Sequence, residues 1–213
     1  MLANYKLVIF DWDGTVMDSV ARIVSSLEEA ARLTGGLPEL SGNELKQMIG
    51  LSLDKGYEFL YPDSPSEKLD DWKHHYGQQF RVDNATPIDL YPSSYTFLET
   101  LQQRGHLLAV ATGKSRAGLD KAIADTGTSA FFVATRTADE TASKPDPLMI
   151  HELLAQLGVE AKDAVMVGDT THDMHLAQNA GVDAVGITWG VHERETLAAY
   201  HPVTIVDSLE ALL

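Results

Sequence analysis

The sequence predicts a doubly wound α/β fold, a parallel sheet with helices on both faces, interrupted by an inserted all-helical domain. Three observations carry this. Short apolar runs without polar alternation recur along the chain, as in strands covered on both faces. Stretches of helical period separate them, and repeated strand–helix–strand is the signature of a doubly wound sheet. Between Val16 and about Ala85, however, there are helical patterns and no convincing strand. Length agrees: 213 residues, at roughly 150 per domain, allow one core and one insertion.

Each element has its own justification. Lys6–Phe10 (KLVIF) reads as a buried strand ending at Asp11. Within the insertion, Asp18–Leu33 places Val20, Ile23, Val24, Leu27, Ala30 and Ala31 at helical spacing, with Asp18 or Ser19 as N-cap. Glu44–Ile49, Leu53–Tyr61 and Ser66–Phe80 follow as helices, separated by Gly50 and the Pro62–Pro65 turn. Past the insertion, helix Ser94–Arg104 leads to a second strand, His106–Ala111, ending at Thr112. Helix Ser115–Asp125 leads to a short third strand, Ala130–Ala134. Helix Pro147–Leu157 leads to a fourth, Ala164–Val167, ending at GDTTHD. Helix Thr171–Ala180 leads to a fifth, Ala184–Ile187, and Val203–Val206 is a weak sixth. Gly105, Gly127, Gly158 and Gly181 stand where helix C-terminal stops belong. The expected core therefore spans residues 1–15 and 86–213, and the inserted cap 16–85.

Composition excludes several classes. With 44% hydrophobic and 22% charged residues the chain is not disordered. The absence of cysteine removes disulfides, thiolate metal sites and a cysteine nucleophile. The net charge is −15 and the basic residues are scattered singly, so nucleic acid and anionic membrane are set aside as partners. The same acidity suits a divalent cation held between carboxylates. The N-terminus has no signal-peptide apolar region, and no apolar run reaches 18 residues, so the cytoplasm is the expected location.

Four strand ends or adjacent loops carry chemistry. Asp11 and Asp13 lie in DWDGT, just past the first strand, where open α/β sheets bind ligands. Paired carboxylates there can share a metal or divide nucleophile and acid/base roles. Thr112-Gly113 follows the second strand and offers a hydroxyl and a free N–H to a phosphate oxygen. Lys144, in the SKPDP loop, is a lone cation able to offset phosphate charge. Asp169 and Asp173 follow the fourth strand, and either a metal shell or a helix N-cap would use them. Alone, the aspartate pair and Lys144 read equally well as an ordinary turn and a solvated loop lysine, and Thr112-Gly113 reads better as an ordinary strand-to-helix turn.

Taken in order, these motifs resemble those of the haloacid dehalogenase superfamily, with the helical insertion at the family's C1 cap position. DWDGTVMDS, SKPDP and VGITWG look most like its phosphoglycolate-phosphatase-like branch. The resemblance implies that Asp11 is a nucleophile forming an aspartyl phosphate. Asp13 would protonate the leaving group and then activate water. Thr112, the Gly113 N–H and Lys144 would hold the phosphoryl group. Mg2+ would be bound by Asp11, the Asp13 carbonyl and Asp169, with Asp173 supporting the metal waters or Lys144. Candidate substrate-selecting cap residues are Gly50, Leu51 and Ser52, together with Lys55. The implied activity is hydrolysis of a small phosphomonoester metabolite. A phosphomutase or an inorganic pyrophosphatase would share every motif. A receiver-like phosphorylation switch is disfavoured by the length, the cap and the position of Lys144 before the second acidic pair.

Other features fall away. Thr112-Gly113-Lys114-Ser115 imitates the end of a P-loop, but Leu108 stands where its first glycine belongs. Lys114 is expected to point along its helix, away from the site. His172 and His175 are expected at the surface or behind the acids rather than as metal ligands. Adjacent His74 and His75 cannot face one ion from a helix. Trp12, Trp72 and Trp189 are expected to pack.

Overall fold

The computed structural model describes all 213 residues. The strands are β1 (Leu7–Phe10), β2 (Met17–Asp18), β3 (Asp89–Leu90), β4 (Leu107–Thr112), β5 (Phe132–Thr137), β6 (Ala164–Gly168), β7 (Asp183–Ile187) and β8 (Thr204–Val206). The α-helices are α1 (Val20–Thr34), α2 (Gly42–Leu45), α3 (Leu53–Leu60), α4 (Leu69–Gln78), α5 (Ser94–Gln103), α6 (Arg116–Asp125), α7 (Leu148–Leu157), α8 (Thr171–Ala180) and α9 (Arg194–Ala198). Six strands form one parallel sheet in the order β5-β4-β1-β6-β7-β8. All four residues of β1 are buried, as a central strand covered on both faces requires. One apolar cluster, with Val8, Phe10, Val110 and Val167, lies under one face. A second, with Leu7, Ile9, Ala109 and Met166, lies under the other. The period-2 alternation of β1 thus feeds two cores at once.

The insertion is helical and centres on a third apolar cluster, to which only Val191 comes from outside it among the buried members. Trp72 is fully buried at its centre, with the Tyr57, Tyr61 and Tyr76 rings 5.4–6.3 Å away. It is joined to the core by a feature too short to leave a periodic signal. β2 and β3 pair antiparallel, Met17 with Leu90 and Asp18 with Asp89, so the chain leaves and returns through adjacent strands.

Several boundaries differ from expectation, each for a physical reason. The third strand runs Phe132–Thr137 rather than Ala130–Ala134, because β5 is a sheet edge whose polar end, Thr135–Thr137, needs only one partner. Glu44–Ile49 is not one helix. Ser41 and Glu44 form a capping box for α2, and Lys46–Met48 continues as a 3-10 turn. Ser66–Phe80 divides into a 3-10 turn, α4 and a π-turn over Gln79–Asp83. The short α9 lies in a stretch read as loop. Trp12 packs in the core against Phe132, Trp72 in the insertion, and Trp189 donates its ring N–H to the Thr15 carbonyl at the hinge.

Candidate active site

Strand register assembles the site. β1 lies between β4 and β6, with Phe10 opposite both Val110 and Val167. The next residues along the three strands bring Asp11, Thr112 and Asp169 to one carboxyl edge. Strand order reverses across β1, the crevice where open α/β sheets receive ligands. Gly14, at φ +84°, turns the chain back, and a Cβ there would fall 2.9 Å from Asp169 Cγ. The loop therefore closes over Asp169 only because residue 14 has no side chain.

Asp11, Asp169 and Asp173 are buried and offer carboxylate oxygens within 4.8 Å of one another. Lys144 is equally buried and bridges two of them, at 2.7 Å to Asp11 Oδ1 and 2.6 Å to Asp173 Oδ1. The other Asp173 oxygen accepts from the Thr170 N–H and hydroxyl, completing the capping box of α8. Asp173 is thus both a helix-capping residue and a partner of Lys144. Asp169 accepts from the Thr15 hydroxyl at 2.9 Å and the Val191 N–H at 2.8 Å. Asp11 Oδ2 is buried with no hydrogen-bond partner.

Three buried carboxylates stand beside one ammonium that pairs with only two of them, and the electrostatics follow. Burial pushes the Asp11 carboxyl up to about 7, against the pull of Lys144 and with the push of Asp173 and Asp13. Asp169 is raised well above the usual carboxylate range by burial and by the charges of Asp173 and Asp11. Burial works to lower Lys144, but Asp11 and Asp173 outweigh it and hold its ammonium charged. The excess negative charge and the orphaned Asp11 oxygen fit a divalent cation with a preference for oxygen ligands.

Asp13 is held differently. Ser19 donates its hydroxyl to Asp13 Oδ1 at 2.6 Å rather than capping α1. Lys114 Nζ lies 3.0 and 2.9 Å from the two Asp13 oxygens, with both side chains nearly buried. This corrects the expectation for Lys114, which folds back into the site. The Asp13 carboxylate draws the ammonium inward, and Phe80 of the insertion roofs it, its ring centroid 4.8 Å away.

The insertion meets the core directly above these groups. Gly50 and Leu51 line a cleft of about 750 Å3 together with Asp11, Asp13, Thr112 and Gly113. Ser52 does not line it. Its N–H bonds to Ser143 Oγ at 2.9 Å, and its hydroxyl caps α3. Lys55 pairs with Glu58. His172 Nε2 lies 3.0 Å from the Gln47 carbonyl, and His192 Nε2 lies 2.7 Å from Gln47 Oε1. His192 Nδ1 accepts the Thr171 N–H, which leaves the ring proton on Nε2 to donate to Gln47. Burial lowers both histidines, favouring these neutral rings. His175 packs on Tyr200 instead, so His172 and His175 do not converge on an ion. His74 and His75 are adjacent rings on α4, away from the acids.

The family model for haloacid dehalogenase-like hydrolases matches residues 8–187. The chain belongs to this family. The hydrolase is 35% identical to a probable phosphatase, IndB, of Dickeya dadantii, over 97% of this chain and 91% of that one. It is 29% identical to a phosphoglycolate phosphatase of Vibrio vulnificus, over 98% and 94%. Among solved structures, a predicted phosphoglycolate phosphatase from Haemophilus somnus superposes with a TM-score of 0.87 at 25% identity, covering 98% of this chain and 96% of that one.

Of the residues singled out in the sequence, Asp11, Asp13, Thr112, Gly113, Lys144, Asp169 and Asp173 come together. Gly50 and Leu51 face them, and Ser52 and Lys55 do not. Lys114, Ser19, Gln47 and His192 were missed. Only Lys114 had a usable signal, a cation two residues past the end of a strand already assigned to phosphate.

Proposed function

We propose that this hydrolase is a Mg2+-dependent phosphatase that cleaves a phosphomonoester through an aspartyl phosphate on Asp11. The observation that carries the reading is the buried carboxylate cluster around Lys144, with its excess negative charge and its unbonded Asp11 oxygen. Asp11, Asp169 and the Asp13 main-chain carbonyl would hold Mg2+. Bound there, the cation offsets the charge of the phosphoryl oxygens, which would otherwise repel an attacking carboxylate. Asp173 fixes Lys144 and Thr170 rather than spending its own oxygens on the ion.

The rest belongs to the chain's own groups. Thr112 hydroxyl, the Gly113 N–H and Lys144 Nζ bind the phosphoryl oxygens and stabilise charge as it shifts. An Asp11 oxygen bonds to phosphorus as the ester P–O bond breaks. Asp13 would take up a proton with the substrate bound and give it to the departing alkoxide, its carboxylate then returning to the Ser19 hydroxyl and the Lys114 ammonium that hold it in the structure. Asp13 then takes a proton from water as that water attacks the acyl phosphate, releasing inorganic phosphate and restoring Asp11. The 16–85 segment acts as a cap that excludes bulk water from the intermediate.

The test is hydrolysis of p-nitrophenyl phosphate with Mg2+, followed by acid quench and mass spectrometry of the Asp11 peptide. Multiple turnovers and a phosphate mass on that peptide are expected. A single equivalent of product, as from a phosphorylation switch, or full activity in excess EDTA would overturn the reading.

A further inference from the structure

The catalytic groups occupy one end of a much longer cleft. At about 750 Å3 it has room for about 25 waters at roughly 30 Å3 each, far more than a two-carbon acid fills. One wall is α6, whose Ala117, Lys121 and Asp125 line the cleft. At 1.5 Å rise per residue they extend it about 12 Å beyond the phosphate-binding turn. The other wall is α4 and its π-turn, which present Tyr76, Phe80 and Arg81. Tyr76, Phe80, Met48 and Ile49 make the middle of the cleft apolar.

Charge along the lining is uneven. With Asp11 and the Asp13–Lys114 pair set aside at the catalytic end, four Lys and Arg face two acids, Asp89 and Asp125, on a chain of net charge −15. Most of these cations already have partners. Lys73 pairs with Asp54, Lys121 with Asp125 and Lys114 with Asp13. Arg22 donates to the carbonyls of Thr86 and Phe80. Arg81 alone among them has neither an ion pair nor a hydrogen bond. Its guanidinium lies across Gly77, where a Cβ would stand 2.8 Å from Nη2 and 3.0 Å from Nη1. The bare surface at Gly77 thus leaves room for an exposed, unneutralised cation at the cleft rim, carried on a π-turn, and π-turns recur at functional positions.

We infer that the preferred substrate is a phosphomonoester whose leaving group has an apolar body of several carbons and a distal anion received by Arg81. This rests on the phosphatase reading and goes beyond it. The body lies along Phe80, Tyr76 and Met48, and the anion meets the guanidinium fork, which suits a carboxylate or a second phosphate.

Four esters test this: 6-(phosphonooxy)hexanoate, hexyl phosphate, 6-aminohexyl phosphate and 2-phosphoglycolate, each by steady-state phosphate release. The hexanoate is expected to exceed hexyl phosphate at least tenfold in kcat/KM and to exceed phosphoglycolate. In Arg81→Ala the hexanoate-to-hexyl ratio is expected to fall below threefold, mainly through KM. Arg81→Glu is expected to shift the preference toward the aminohexyl ester. Phosphoglycolate as the best substrate, or an unchanged ratio in Arg81→Ala, would overturn this inference and leave the phosphatase reading standing. Turnover of none of the four, nor of p-nitrophenyl phosphate, would overturn both.

Discussion

An alanine at Gly113 would set a methyl group against the main chain of the insertion. Its Cβ would lie 2.5 Å from the Gly50 carbonyl oxygen and closer still to that of Leu51. Carbon–oxygen contacts settle at about 3.3 Å, so one side must retreat by roughly 1 Å. The atoms in the way are backbone, not the end of a flexible side chain. Gly113 itself is not in the left-handed region, so alanine keeps the local conformation and the N–H assigned to phosphate. The strain therefore falls on cap closure. The bonds at stake are Ser52 to Ser143 and Gln47 to His172 and His192. Three such bonds at about 1 kcal/mol each would lower Tm by no more than roughly 10 °C in a chain of this size. Misplacing catalytic and substrate groups by 1 Å costs on the order of 100-fold in rate. Steady-state kinetics and calorimetry on Gly113→Ala should thus show kcat/KM reduced about 100-fold with a modest Tm change. A kcat/KM within threefold of the parent would refute the closure argument, and a Tm drop well beyond 10 °C would place the damage in the fold.

The other expectations concern the charged cluster. Asp11→Asn should remain folded by circular dichroism and lose turnover by several orders of magnitude; a tenth of parental kcat would remove Asp11 as nucleophile. Lys144→Ala should lose about 3–5 kcal/mol in denaturant unfolding, because buried Asp11 and Asp173 lose their only ammonium, whereas Lys114→Met should lose less, since Asp13 keeps the Ser19 hydroxyl and a little solvent contact, and should lose kcat more than KM through Asp13. Equal stability in the two variants would contradict this. Asp169→Ala should weaken Mg2+ binding in titration calorimetry at least tenfold, and unchanged affinity would move the ligand role elsewhere. In metal-free protein the raised Asp11 carboxyl binds a proton in the folded state that the unfolded chain has released. Its contribution to stability therefore falls as pH rises from about 4 to about 7. Relative to Asp11→Asn, the parent should lose on the order of a few kcal/mol of unfolding free energy between pH 5 and 8, and a flat difference would contradict the burial argument.

The acidic end of the cleft was legible because it is written along single strands. An apolar run that stops at Asp11, Thr112 or Asp169 announces both a parallel strand and what stands at its carboxyl end. Glycine-marked helix ends and the long helical interruption supplied the layers and the insertion. Residues whose partners lie far along the chain were not legible. Lys114 turns toward Asp13 under a phenylalanine from the helical insertion, and Gln47 reaches two histidines more than a hundred residues away. β2 and β3 have two residues each, below any period, and they pair only because the insertion brings its own ends together. Arg81 and Gly77 are one helical turn apart and unremarkable until the structure brings the guanidinium to the cleft rim beside the bare Gly77. Sequence determined which chemistry the strand ends carry, since that depends on residue type at a local boundary. Tertiary structure decided which cation serves which acid and how far the cleft extends, since both depend on surfaces that meet only where the helical insertion packs on the sheet.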